Sequence, residues 1–185
     1  MNKFLASVII DLDSKKKGRY YMQVTFKGNP IEVQGSQPEV GQKVPNATVL
    51  NNKGNAVELS DVVDGHVTII SVIPNVLTRT CELQTKAFAD KTADKGYKYI
   101  TVGRNTVEEF NEWNKENQLN VDTYTDSEGS FGEAFGLNID LEGDILTTRA
   151  VFVVDKDGVI QYKEIVSEVA DEPNYDPALK VADNL

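Results

Sequence analysis

Short apolar runs with a period of two alternate along this chain with amphipathic stretches of period near 3.6, which predicts strands and helices in alternation. The clearest strand is Val67-Thr68-Ile69-Ile70-Ser71-Val72-Ile73, a β-branched run of the kind buried on both faces. Pro74 ends it, because proline has no N–H to give to a ladder. Helix formers follow from Glu82, with Leu83, Ala87 and Phe88 on one face, and this helix is expected to reach about Lys95. Residues 97–102 read as another apolar strand, and 106–118 as a helix presenting Val107, Phe110 and Trp113-Asn114. Residues 47–50 and 123–125 read as short strands, 58–63 and 131–135 as short helices, and 176–184 as a terminal helix. Gly28-Asn29-Pro30 and Asp155-Lys156-Asp157-Gly158 each separate two alternating runs, 24–27 from 31–33 and 150–154 from 159–162, and predict β-hairpins. This order predicts a three-layer α/β fold, a central mixed sheet with helices on both faces. The helix after strand 67–73 then begins at the carboxyl end of the sheet, where such folds place ligands.

Composition sets the outer bounds. A chain of 185 residues with 40% hydrophobic content supports one domain with a full core. We expect that domain over residues 22–185, after an N-terminal extension of residues 1–21. The extension carries five basic residues against two acidic ones, whereas the whole chain has a net charge of −10. That negative balance argues against a nucleic-acid or anionic-membrane surface. The apolar start imitates a signal peptide, but it breaks at Asp11 and Asp13 and Lys15-Lys16-Lys17 follows. With one cysteine, an internal disulfide is excluded, and a cytoplasmic location is expected.

That cysteine, Cys81, falls in the first turn of the helix after strand 67–73. Unpaired N–H groups and the positive dipole end of that turn favour a thiolate. The Thr78 hydroxyl, three residues earlier, is placed to face the sulfur. His66 is the only histidine and has no ligand cluster at metal spacing, so no metal site is expected. No Walker-type or dinucleotide glycine pattern is present.

The spacing Pro74-x-x-x-Thr78-x-x-Cys81 resembles the peroxidatic motif of peroxiredoxins. The wider strings Thr78-Arg79-Thr80-Cys81-Glu82-Leu83-Gln84-Thr85-Lys86, Ser130-Phe131-Gly132-Glu133-Ala134-Phe135-Gly136 and Glu172-Pro173-Asn174-Tyr175 look like the bacterial thiol peroxidase branch, an atypical two-cysteine group. The resemblance covers roughly residues 22–180 and implies a thioredoxin-like fold with an N-terminal β-hairpin. It implies that Cys81 attacks a hydroperoxide, that Thr78 and Arg149 hold the peroxide, and that Pro74 shapes the pocket and shields the thiolate. Arg79 is the weaker guanidinium candidate and is expected to point to solvent. The resemblance implies no cofactor, an outside thiol reductant such as thioredoxin, and a homodimer.

This chain also departs from the pattern. Relatives carry a second, resolving cysteine after the tryptophan of the helix 106–118, and here Asn114 follows Trp113. Leu77 stands where relatives have Asp before the motif threonine, and Gly103-Arg104-Asn105-Thr106-Val107 replaces a segment that borders their active site. The expected activity is therefore a one-cysteine peroxidase cycle through a Cys81 sulfenic acid. The alternative is a catalytically weak relative that senses peroxide or binds partners through oxidised Cys81.

Overall fold

The computed structural model describes residues 21–185. The expected extension therefore lies outside the described residues, apart from Tyr21. Seven strands form the central sheet: β3 (Thr48–Leu50), β4 (Ala56–Glu58), β5 (Thr68–Val72), β6 (Lys98–Gly103), β7 (Asp122–Thr125), β10 (Ala150–Val154) and β11 (Ile160–Ile165). Their order is β11-β10-β5-β6-β7-β3-β4, with β5, β6 and β7 parallel and the other pairs antiparallel. β5 is buried along its whole length, as its unbroken β-branched run demands.

The helices cover both faces. Ile70, Val72, Ile100, Val102 and Phe152 point to the side covered by α1 (Leu59–Val63) and α4 (Ser130–Ala134). Ile69, Val151 and Val153 point to the other side, beneath α2 (Arg79–Thr92) and α5 (Tyr175–Asp183). α3 (Val107–Glu116) brings Phe110 and Trp113 against α2, and its start is a capping box between Thr106 and Glu109.

Two hairpins stand outside the sheet. One is β1 (Met22–Phe26) with β2 (Asn29–Val33), and the other is β8 (Asn138–Leu141) with β9 (Asp144–Thr147). Val24, Val33 and Ile139 join them in one apolar cluster with Val169, which follows β11. The first hairpin turns one residue earlier than its Gly-Asn-Pro signal implies. Lys27 and Gly28 both have positive φ, 51° and 81°, so they form the two-residue loop, and Phe26 pairs with Asn29. Pro30 sits inside β2 opposite Thr25. It fits because Thr25 directs its N–H to Ser167 and its C=O to the Val169 N–H, both at 2.7 Å, so this pair needs no N–H from residue 30.

Candidate active site

The loop carrying Cys81 is fixed before the helix begins. At the end of β5, the Ile73 N–H donates to the Val102 carbonyl at 3.0 Å, and the Ile73 carbonyl accepts the Thr147 hydroxyl at 2.9 Å. Asn105 then holds the next turn. Its Oδ1 accepts the Val76 N–H at 2.7 Å, and its Nδ2 donates to Asn75 Oδ1 at 2.9 Å and to Glu109 at 3.0 Å. The segment 103–107 thus buttresses the cysteine loop from the end of β6.

Thr78 is the N-cap of α2, with extended φ/ψ of −94° and 150°. The first helical bond runs from the Glu82 N–H to the Thr78 carbonyl at 2.9 Å. The N–H groups of Arg79, Thr80 and Cys81 therefore stand outside the helical ladder, at the positive end of the helix. The Thr78 hydroxyl donates to the Asn75 carbonyl at 2.8 Å, a local turn bond that commits its proton to the loop rather than to the sulfur.

Cys81 is fully buried, in one cluster with Ile73, Val76, Phe110 and Trp113. The inward face of α2 also carries Gln84, Thr85 and Phe88, while Leu83 and Ala87 are only half-buried. The face expected from the apolar residues is thus rotated, because polar Gln84 and Thr85 find partners inside. The Thr85 hydroxyl donates to the Cys81 carbonyl at 2.8 Å. Nearby, burial raises the Tyr99 phenol far above its ordinary value, and its hydroxyl shares a 2.7 Å hydrogen bond with Thr101.

Arg149 lies between β9 and β10 and is 2% exposed. Its Nε and Nη2 both donate to the Val169 carbonyl, at 3.0 and 2.9 Å, and Nη1 donates to Gln84 Oε1 at 2.7 Å. Gln84, one turn beyond Cys81, is itself fixed by a 2.7 Å bond from its Nε2 to the Ser71 hydroxyl. A guanidinium has five N–H donors, so one on each terminal nitrogen remains for a ligand. Among the described residues Arg149 makes no ion pair, and neutral oxygens alone hold its charge. A buried cation without a counter-carboxylate is poised to receive an anion.

The site opens into a cleft of about 520 Å³ lined by Pro74, Thr78, Thr80 and Arg149, with Phe26 and Leu146 as apolar wall. Arg79 is exposed and also lines it. Pro74 is buried at its base. The structure thus brings Pro74, Thr78 and Arg149 to one cleft, and Cys81 lies behind them rather than on its surface. Asn114, which follows Trp113, is buried and structural. Its Oδ1 accepts the Val121 N–H at 2.9 Å, and its Nδ2 donates to the Val121 carbonyl at 3.1 Å.

Sequence reasoning missed Gln84, Asn105 and Ser71. Gln84 is the one with a readable signal, a polar residue at i+3 from the cysteine on the same helix face. Ser71 reaches the site from β5 and Asn105 from the loop between β6 and α3, with no pattern linking them to Cys81.

Comparison with known proteins places this architecture. Residues 40–163 match the model of the AhpC/TSA family. The chain is 37% identical to a thiol peroxidase of Staphylococcus haemolyticus over 165 residues, 88% of this chain and 99% of that protein. It is 38% identical to a thiol peroxidase of Bacillus subtilis over 164 residues, 86% of this chain and 96% of that protein. The fold superposes on a peroxiredoxin-like protein from Aquifex aeolicus with a TM-score of 0.79 and 26% identity, covering 88% of this chain and 97% of the other. A thiol peroxidase from Chromobacterium violaceum shares the fold at a TM-score of 0.80 and 16% identity, over 88% and 96% of the two chains. With its cysteine loop, its buried arginine and these likenesses, the chain belongs to the AhpC/TSA family of peroxiredoxins, in the branch of the bacterial thiol peroxidases.

Proposed function

We propose that this thiol peroxidase works by a one-cysteine cycle. The Cys81 thiolate attacks one oxygen of hydrogen peroxide or an alkyl hydroperoxide. The O–O bond breaks, the sulfur becomes a sulfenic acid, and the second oxygen leaves as water or an alcohol after taking up a proton. The two uncommitted N–H donors of Arg149 meet the charge that gathers on the departing oxygen. Thr78, with its proton held by the loop, presents lone pairs to the incoming peroxide. An outside thiol then displaces the sulfenic oxygen as water and forms a mixed disulfide, and a second thiol restores Cys81.

The observation that carries this reading is the fully buried Arg149, unpaired with any carboxylate among the described residues and tied to the Cys81 helix through Gln84. Asn114 supports an external resolving thiol, since this chain has no second cysteine. The proposal includes thioredoxin as reductant, a homodimer and a cytoplasmic site of action, and family membership supports all three. No helix among the described residues is long and apolar enough to cross a membrane.

A second reading, a peroxide sensor that reacts once and turns over poorly, is favoured by the complete burial of Cys81. A reductant must reach the oxidised sulfur, so the first turn of α2 has to open. Peroxide consumption with thioredoxin or dithiothreitol separates the two. The cycle predicts many turnovers, abolished in Cys81→Ser, and it fails if that variant keeps the wild-type rate. Rapid oxidation followed by no turnover assigns the chain to sensing.

A further inference from the structure

We infer that Glu168 is a positioning residue for Arg149, clamping the stretch that holds the guanidinium to the N-terminal hairpin. This rests on the peroxidase reading above. Glu168 lies in the segment after β11, immediately before Val169, whose carbonyl accepts two of the three protein bonds of Arg149. Its carboxylate gathers four donors from two directions. Oε1 accepts the Ala170 N–H at 3.1 Å and the Lys27 N–H at 2.9 Å, while Oε2 accepts the Thr25 hydroxyl at 2.8 Å and the Gly28 N–H at 3.1 Å. One acid thereby joins the tip of the β1/β2 hairpin to the peptide unit that carries the Val169 carbonyl.

The surrounding contacts show what the clamp holds in place. Phe26 and Lys27 from the hairpin, and Val169 and Ala170 from the clamped stretch, all line the cleft together with Arg149. The Ala170 carbonyl accepts the Thr80 hydroxyl at 3.0 Å, so the same stretch touches the first turn of the Cys81 helix. Backbone bonds between Thr25 and both Ser167 and Val169 set the register, but they leave the direction of the Val169 carbonyl to the peptide unit that Glu168 fixes through Ala170. Burial opposes a charged carboxylate here, yet the bonds from Ala170, Thr25, Gly28 and Lys27 outweigh it and hold the Glu168 pKa at about 2. The clamp is therefore charged and fully engaged at any physiological pH.

Without the carboxylate, the Val169 peptide is free to tilt and the guanidinium keeps only its bond to Gln84. A small displacement of a group that contacts the reacting atoms costs far more rate than stability. The test is a double-mutant cycle on the second-order rate of Cys81 oxidation by hydrogen peroxide. Glu168→Ala is expected to slow the reaction about 10- to 100-fold in the wild-type background. In the Arg149→Lys background it is expected to cost less than about twofold, because the fork it positions is already gone. Glu168→Gln, which keeps one acceptor oxygen, is expected to recover most of the rate. A wild-type rate in Glu168→Ala, or an equal loss in both backgrounds, overturns the inference, since a merely structural role is additive. Should Glu168→Ala fail to fold, Glu168→Asp, whose carboxylate is one methylene short of the hairpin donors, carries the same comparison, and the inference stands only if its loss vanishes in Arg149→Lys. The underlying reading is judged on the unmutated chain. A chain no faster than a free thiol overturns both ideas, whereas a fast chain with an equally fast Glu168→Ala overturns the clamp alone.

Discussion

Replacing Arg149 by lysine tests how the buried guanidinium is used. The positive charge is kept and the planar fork is lost. In the native site three N–H groups are committed to Val169 and Gln84, and two remain. An ammonium has three donors on one atom, so it cannot satisfy both acceptors and still present two more to a peroxide. Losing one pre-placed donor on developing negative charge costs roughly 100- to 1,000-fold in rate, or about 2.7–4 kcal/mol of transition-state stabilisation. The native state suffers separately. The Val169 carbonyl or Gln84 Oε1 is left short of a partner, and a buried unsatisfied acceptor costs about 1–3 kcal/mol. In a domain of this size that lowers Tm by roughly 2–4 °C for each kcal/mol. The assay is stopped-flow oxidation followed by the single tryptophan, Trp113, which packs in the same cluster as Cys81. An Arg149→Lys rate within about threefold of wild type, in a folded protein, refutes the assignment of the fork to transition-state charge.

Three further outcomes follow. Asn114→Cys is expected to lose about 1–3 kcal/mol in denaturant unfolding, because both bonds to Val121 vanish. It is also expected to yield an internal disulfide with Cys81 on peroxide treatment, seen by non-reducing mass analysis; absence of that bond argues against Asn114 as the site of the lost resolving step. Glu168 is expected to contribute to acid unfolding. Its folded pKa is depressed to about 2, so its stabilisation is present above the unfolded value of 4.5 and is lost as pH falls from there toward 2. Glu168→Gln flattens the pH dependence of stability in that window, as thermal melts at stepped pH will show. Asn105→Ala is expected to slow peroxide reaction without unfolding the chain, since the Val76 N–H and Asn75 side chain lose their anchor. A wild-type rate excludes that buttressing role.

The sheet and most helices were legible because their apolar periods were long and unambiguous. β5 is buried on both faces and reads as such. The β8/β9 hairpin was not legible. It is short and partly exposed, and Glu142 and Gly143 in its turn, at φ 56° and 95°, give weaker chemistry than the Asp-Lys-Asp-Gly signal between β10 and β11. β4 escaped for the same reason, being three residues of edge strand with no buried member. At the site, local spacing points to Cys81, Thr78 and Pro74, since the strand–loop–helix is one continuous segment. Arg149 came only from family likeness, because a lone arginine beside an apolar strand reads more often as a solvated edge charge. Gln84 shares the helix face of Cys81, but its bond to Arg149, like those of Asn105 and Glu168, joins residues 29 to 143 apart, which no linear pattern encodes.

The most direct measurement is the second-order rate of Cys81 with hydrogen peroxide, paired with the intact mass of the product and read against free cysteine. The account predicts a reaction faster by orders of magnitude and a first product carrying one added oxygen on Cys81. A rate equal to that of an ordinary thiol would contradict it, as would oxidation that proceeds unchanged when Arg149 is replaced.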